Sequence, residues 1–267
     1  MLSDCHMHTR YSADSDAEPE KMIQSAVAHG LEAICFTDHE DIGLFQEGKE
    51  WVIDTKAYFE ELGRLKQRYA RQIDVRIGIE MGLQPHLGEE ISQYIQSYPF
   101  DFVIGSVHVI EGKDPYYSEF FEGKSDAEAY ARTFEETFED IRASSDFDVL
   151  GHLDYVVRYG KYREKEYSYE RFSDKIDAVL HLLIEKGRGI ELNTAGLKYG
   201  LPFAHPCPKI LRRYRELGGE IVTVGSDAHR PEHVAYDFDK ANAILKDCGF
   251  KYYTEFKERK PIFKEIS

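Results

Sequence analysis

The sequence predicts an α/β fold in which a parallel sheet closes into a barrel, and three observations carry that prediction. Short apolar runs alternate with longer segments of helical periodicity along all 267 residues. No internal repeat, low-complexity tract or Pro/Gly/Ser-rich linker divides the chain, and one α/β barrel needs about 250 residues. Finally, every apolar run ends in a histidine or a carboxylate. An open sheet gathers ligands mainly at its switch point, whereas a barrel opens all its strand ends onto one face.

Seven runs read as strands: 2–6, 33–36, 75–80, 102–108, 148–151, 189–193 and 221–225. Their continuous apolar character suits parallel strands covered on both faces. Between them, Pro19 opens a helix that Gly30 closes. Residues 51–70 form another helical stretch, and Ser125 with Glu128 has the spacing of a capping box. Ile176, Val179, Leu180, Leu183 and Ile184 fall at i, i+3, i+4, i+7 and i+8, the stripe of a helix packed on the sheet. Residues 252–256 read as a last edge strand, and the final residues as a surface tail. The whole, 1–267, reads as a single domain.

Composition narrows the function. The net charge of −15 disfavours a nucleic-acid partner or an anionic membrane surface. Mean hydropathy is −0.51, and no apolar run approaches the roughly 18 residues of a membrane span. The start, Met1-Leu2-Ser3-Asp4-Cys5-His6, has neither the basic nor the apolar region of a signal peptide. The four cysteines, Cys5, Cys35, Cys207 and Cys248, form no C-x-x-C and read as buried thiols. A cytoplasmic location is therefore expected.

The strand ends supply the chemistry. The first ends in His6-Met7-His8, the second in Thr37-Asp38-His39, the third at Glu80 and the fourth at His108. The fifth leads into His152-Leu153-Asp154, the sixth ends in Glu191-Leu192-Asn193, and the seventh runs into Ser226-Asp227-Ala228-His229. Alternation with period 2 aims His6 and His8 to one side. Imidazoles with carboxylates suit Zn²⁺, Mn²⁺ or Fe²⁺. Glu80, between apolar neighbours, is costly to bury unless it is paired or coordinating a cation. A lone strand-end histidine is usually a hydrogen-bonded core group, but so many at one barrel face point to a metal site. His29, His86, His181 and His233 fall in helices or their flanks and receive no role. Arg158 and Lys198 follow the fifth and sixth strands and are candidate phosphate contacts, Arg158 as a bidentate clamp. His205, in the loop after the sixth strand, is a candidate substrate contact. The aromatic loop 114–121, after His108, is a candidate lid.

The ordered strings Asp4-Cys5-His6-Met7-His8-Thr9, Thr37-Asp38-His39, Gly78-Ile79-Glu80, Gly105-Ser106-Val107-His108, Gly151-His152-Leu153-Asp154 and Gly225-Ser226-Asp227-Ala228-His229 resemble the polymerase-and-histidinol-phosphatase (PHP) family of metal-dependent phosphoesterases. The resemblance implies a distorted (β/α)7 TIM-like barrel with its metal site at the C-terminal ends of the strands. It implies three divalent ions. His6, His8, Glu80 and Asp227 would hold the first. Glu80 would bridge to a second, completed by His108 and His152. His39 and His229 would hold a third, with Asp14 where some relatives place a histidine. Asp38, Asp154 and Glu191 would orient histidines through their ring N–H groups.

Within the family, residues 58–80, 106–110 and 151–155 resemble the stand-alone phosphatases that act on histidinol phosphate, a small-molecule ester. The expected reaction is attack on phosphorus by a hydroxide bridging two metals. Arg158 and Lys198 would neutralise the phosphoryl oxygens, and Asp227 or His229 would help protonate the leaving alkoxide through a water. Three rivals stay open: a PHP enzyme for a nucleotide or another small phosphomonoester, a metallo-amidohydrolase barrel, and a non-catalytic metal-binding module. The amidohydrolase reading lacks its usual mid-strand lysine. Oligomeric state is left open.

Overall fold

The computed structural model describes residues 1–144 and 146–266. Among them, the main sheet contains the seven strands of the barrel: β1 (Ser3–Asp4), β2 (Ala33–Phe36), β3 (Asp74–Gly82), β4 (Phe102–Ser106), β5 (Val149–Leu150), β6 (Gly189–Asn193) and β7 (Val222–Gly225). They pair in chain order, every pair parallel. The sheet also contains a two-residue strand, His39–Glu40, that pairs only with β3. Past the ends of β1 and β7 the chain closes the circle: Cys5 N donates to Val224 O (2.9 Å) and Asp227 N to His6 O (2.9 Å), and Met7 bridges Ala228. The result is a nearly closed seven-stranded barrel, as the sequence predicts.

The helices are α1 (Pro19–Ala28), α2 (Thr55–Tyr69), α3 (Gly88–Gln96), α4 (Asp126–Ala143), α5 (Tyr169–Glu185), α6 (Ala195–Lys198), α7 (Pro208–Glu216) and α8 (Phe238–Asp247). Local chemistry sets their ends. The Asp54 side chain accepts from Ala57 N (3.0 Å), so α2 begins later than the periodicity alone suggested. Ser125 and Glu128 form the reciprocal capping box at the start of α4. On α5, Ile176, Val179, Leu180 and Leu183 are buried, while Ile184 lies at the edge of the stripe and is half-buried. Each fully buried aliphatic side chain contributes about 1.5–3 kcal/mol.

The C-terminus departs from expectation. Residues 252–256 do not extend the barrel sheet, and the last residues are no loose tail. Strands β8 (Tyr252–Lys257) and β9 (Lys260–Glu265) make a separate antiparallel hairpin. Its turn residues Glu258 and Arg259 both adopt positive φ, the primed geometry that matches strand twist. The hairpin plugs the N-terminal mouth of the barrel. Phe256 stacks on Phe102 (centroids 5.1 Å apart) and joins Cys5, Cys35, Ile104 and Val149 in an inner cluster. The turn is gripped by acids at the starts of the strands: Lys257 by Asp74 (3.1 Å), Glu258 N by Asp101 (3.1 Å) and Arg259 by Asp148 (2.6 Å).

Strand β3 spans the barrel from this floor to the opposite mouth. By alternation, Arg76, Gly78 and Glu80 share the inner face, while Val75, Ile77 and Ile79 pack outward on helices. Arg76 meets the hairpin and Glu80 the mouth.

Candidate metal centre

Beyond β1 the chain keeps its extended alternation through His6-Met7-His8. Met7 is fully buried in the main hydrophobic core, and the two imidazoles turn into the mouth. His6 Nδ1 donates to Glu191 Oε1 (2.6 Å), and His8 Nδ1 to Ser12 Oγ (3.0 Å), whose own hydroxyl is spent on Asp38 (2.7 Å). Those partners fix both tautomers, so the two Nε2 atoms face one another 3.0 Å apart. Gly225 makes the arrangement possible: a Cβ there would lie 2.3 Å from His6 Cβ and 2.5 Å from Glu191 Oε1.

Glu80 lies at the centre of the cluster, fully buried. Its Oε2 has His39 Nδ1 at 3.1 Å, His6 Nε2 at 3.2 Å and His8 Nε2 at 3.4 Å. Its Oε1 has His152 Nε2 at 3.0 Å and His108 Nε2 at 3.3 Å, and accepts from Ser106 Oγ (2.7 Å). The two oxygens thus face two different sets of imidazoles. A third set stands beside them. His229 Nε2 is 3.0 Å from Asp14 Oδ2, His39 Nε2 is 3.8 Å from the same atom, and the His8 and His229 rings stack 4.1 Å apart. Asp227 Oδ1 lies 3.3 Å from His8 Nε2 and 3.8 Å from His6 Nε2. The structure therefore brings together all nine residues expected as ligands: His6, His8, Asp14, His39, Glu80, His108, His152, Asp227 and His229.

This donor set fits divalent cations. Three triads, His6/His8/Glu80, His39/Glu80/His108 and His8/His39/His229, each offer ligand atoms within 4.8 Å of one another. Glu80 Oε2 is buried with no hydrogen bond, although three imidazole nitrogens surround it; His39 Nδ1 and His229 Nε2 are likewise unpartnered. Buried polar atoms are rarely left so. Lone pairs converging from several sides are satisfied by a cation between them. Charge in the cluster is strongly coupled. Burial disfavours a charged Glu80, but His6, His39 and His108 outweigh it and hold the carboxyl well below its usual range. Burial likewise opposes charge on His6, yet Glu191, Glu80 and Asp227 raise its pKa well above normal. His8, buried and facing His229 and His39, is pushed well below normal.

Some supporting residues differ from expectation. Glu191 orients His6 as foreseen, and its Oε2 also accepts from His152 N (3.0 Å). Asp38 touches no imidazole. It accepts from the backbone and hydroxyl of Thr9 and Ser12, and reaches His8 only through Ser12. Asp154 holds His205 Nδ1 (2.6 Å) rather than one of the nine. Asp41 was not anticipated. It accepts from His108 Nδ1 (2.8 Å), and Gly82 leaves room for its carboxylate, since a Cβ there would fall 2.0 Å from Oδ1. Its place two residues after His39 on an extended segment was the available signal. None of His29, His86, His181 and His233 belongs to the triads.

The candidate substrate contacts lie around this cluster. Arg158 sits in a short 3-10 turn (Tyr155–Arg158) after β5. Lys198 ends α6, and its Nζ donates to Asp227 O (2.8 Å), pinning an expected ligand whose φ of 52° is left-handed. His205 is fully buried, paired to β6 through Asn193, with Nε2 unpartnered. Loop 114–121 meets a small antiparallel hairpin made by Phe45–Gln46 and Lys49–Glu50: Gln46 donates to Asp114 (3.1 Å) and Tyr117 OH to Glu47 (3.2 Å).

Known proteins with this architecture place the chain. The family model described as PHP domain matches residues 4–195. The chain belongs to the PHP domain family. This PHP chain is 34% identical over 259 residues to the histidinol-phosphatase of Lactococcus lactis subsp. lactis, covering 95% of the chain and 93% of the relative. A probable histidinol-phosphatase of Clostridium acetobutylicum is 32% identical, with 94% and 95% covered. Among solved structures, histidinol phosphate phosphatase from Lactococcus lactis, complexed with zinc, L-histidinol and phosphate, matches with a TM-score of 0.89 at 32% identity over 98% of both chains. Among the described residues, no helix is long and apolar enough to cross a membrane.

Proposed function

We propose that this PHP-domain chain is a metal-dependent phosphomonoesterase that hydrolyses L-histidinol phosphate to L-histidinol and phosphate. The observation that carries the reading is Glu80, whose two oxygens face separate imidazole sets, the placement of a carboxylate shared by two cations. The relatives named histidinol-phosphatase support the substrate. Three divalent ions, zinc, manganese or iron, would fit this mouth. His6, His8, Glu80 and Asp227 would hold the first. Glu80, His108 and His152 would hold the second. His39, His229 and Asp14 would hold the third. Bound there, they would acidify a water and draw charge from the phosphoryl oxygens.

The protein's own groups do the rest. Arg158 clamps the phosphoryl oxygens, and Lys198 adds positive charge on the same side. His205 stays neutral because burial lowers its pKa; with Nδ1–H given to Asp154, its Nε2 can accept a hydrogen bond from the substrate. Asp227 and His229 orient the water that protonates the leaving alkoxide. Asp114, half-buried and near the phenols of Tyr155 and Tyr159, gives an acidic, aromatic wall suited to the amine and imidazole of histidinol.

The test is steady-state phosphate release by protein reconstituted with manganese or zinc. Histidinol phosphate is compared with nucleotides, sugar phosphates and an aryl phosphate. A kcat/KM at least about a hundredfold above the rest is the expected result. Even, low rates across the panel would leave a phosphoesterase but remove histidinol phosphate as its substrate. Absence of turnover in the metal-loaded protein would remove both.

A further inference from the structure

We infer that Tyr159 and Tyr199 are positioning residues that grip the Arg158 guanidinium between their rings and hold it off the carboxylates of the metal centre, so that it stays open to a phosphoryl group. The inference rests on the phosphate role proposed for Arg158.

The geometry is unusual for a partly buried arginine. Arg158 Cζ lies 4.8 Å from the Tyr159 ring centroid and 4.6 Å from that of Tyr199, with Tyr155 at 5.6 Å. Its one hydrogen bond among the described residues runs from Nη2 to Tyr159 OH (2.5 Å). It makes no ion pair with a described carboxylate, although Asp227 is close enough to act on it electrostatically. A guanidinium carries five N–H donors. One bonded to a carboxylate would spend two of them and much of its charge there. Ring faces attract the cation without occupying its in-plane donors. Without them, the adjacent Asp227 is the natural partner, and an arginine paired to a metal ligand would weaken both functions.

The two tyrosines come from different strand ends. Tyr159 directly follows Arg158 beyond β5, whereas Tyr199 follows α6 beyond β6 and is 49% exposed. Tyr199 therefore packs little of the core, and its replacement isolates the effect on Arg158.

The experiment uses the metal-loaded enzyme and inorganic phosphate as a competitive inhibitor, with histidinol phosphate as substrate. Tyr199→Ala is expected to raise the Ki of phosphate and the KM about five- to tenfold. Metal content and Tm stay unchanged, and kcat changes less than KM. Tyr199→Phe keeps the ring face and restores wild-type values. Tyr199→Leu keeps bulk without a ring face and behaves like Tyr199→Ala. Tyr159→Phe removes only the hydroxyl acceptor and gives a smaller increase, about two- to threefold. Arg158→Ala separates the two levels. If it raises the phosphate Ki while Tyr199→Ala does not, or if Tyr199→Leu matches the wild type, the gripping role is overturned. If Arg158→Ala leaves the phosphate Ki unchanged, the phosphate role of Arg158 itself falls, and this inference with it.

Discussion

Strand β3 carries a buried charge at each end of the barrel, and the two are treated in opposite ways. At the floor, Arg76 is fully provided for. Its Nη2 donates to Glu255 (2.7 Å), Nη1 to Phe256 O (3.1 Å) and Nε to Asp74 (3.2 Å). At the mouth, four residues along, Glu80 has two oxygens, one of them buried without a hydrogen bond among three imidazole nitrogens. The floor pair is closed within the chain. The mouth is complete only when cations are counted. A buried charge that the chain satisfies marks structure, and one that it leaves open marks a site.

The largest expected effect breaks the mouth alone. Glu80→Gln keeps the shape and removes the shared anion. We expect kcat/KM to fall by at least about a thousandfold, close to 4 kcal/mol in the barrier, with bound metal reduced and the fold retained. Near-normal turnover and metal content would refute the bridging role. The complementary variant breaks the floor. Arg76→Met strands Glu255 in the plug, and breaking a buried pair costs about 3–5 kcal/mol. Urea denaturation should show that loss in metal-free and metal-loaded protein alike, with kcat of the folded fraction unchanged. Replacing both partners, Arg76→Met with Glu255→Leu, should recover much of it, because no charge is then left unpaired.

The contrast also explains what was legible in the sequence. Most of the mouth was readable because its candidate ligands sit at strand ends, where period-2 alternation and barrel closure bring His6, Glu80 and Asp227 together from positions far apart; Asp14, in the loop before α1, was offered only by the family resemblance. The floor was not. Nothing local marks Lys260–Glu265 as a strand, since it is mostly exposed and gains its order from pairing with Tyr252–Lys257. Arg76 in an apolar run was likewise a sign of something, but its partner lies 179 residues away. Polar second contacts were partly legible. Glu191 sits at a strand end and was seen, whereas the links through Ser12 and Asp41 depend on loop paths after the first two strands that periodicity does not report.

A third buried charge, Asp140 on α4, sharpens the comparison because it belongs to neither class. Both its oxygens are buried without a hydrogen bond. Burial, reinforced by Glu136 and Glu139, pushes its pKa up to about 8. The carboxyl is therefore neutral in the fold at pH 7, while the unfolded chain releases the proton above about pH 4. The folded state binds the extra proton, so this contribution to stability is full below pH 4 and is lost as pH rises through about 8. The expected loss between pH 5 and pH 8 is on the order of 3–4 kcal/mol. Asp140→Asn, neutral throughout, should flatten that slope in urea titrations. An unchanged slope would assign the pH dependence to other groups.

The smallest effect tests how far the open mouth depends on closed contacts like those of the floor. Asp41 stands to His108 as Glu255 stands to Arg76: a buried carboxylate that accepts its partner's N–H, here at 2.8 Å. Burial opposes charge on His108, but Asp41 and Glu80 raise its pKa well above normal. Asp41→Asn keeps the size and an acceptor but removes the charge that makes the imidazole a stronger donor to metal. Such outer contacts are typically worth ten- to a hundredfold in metal affinity, about 1.4–2.7 kcal/mol. Metal titration should therefore show one class of sites weakened by that factor, with the others retained and activity recovered at saturating metal. Uniform weakening of every site would mean that Asp41 supports the cluster as a whole. Unchanged affinity would mean that His108 is held by its loop and owes nothing to the carboxylate. The middle outcome is not expected, because Asp41 hydrogen-bonds His108 alone among the imidazoles; its other oxygen lies 3.5 Å from His39 Nδ1 and makes no hydrogen bond.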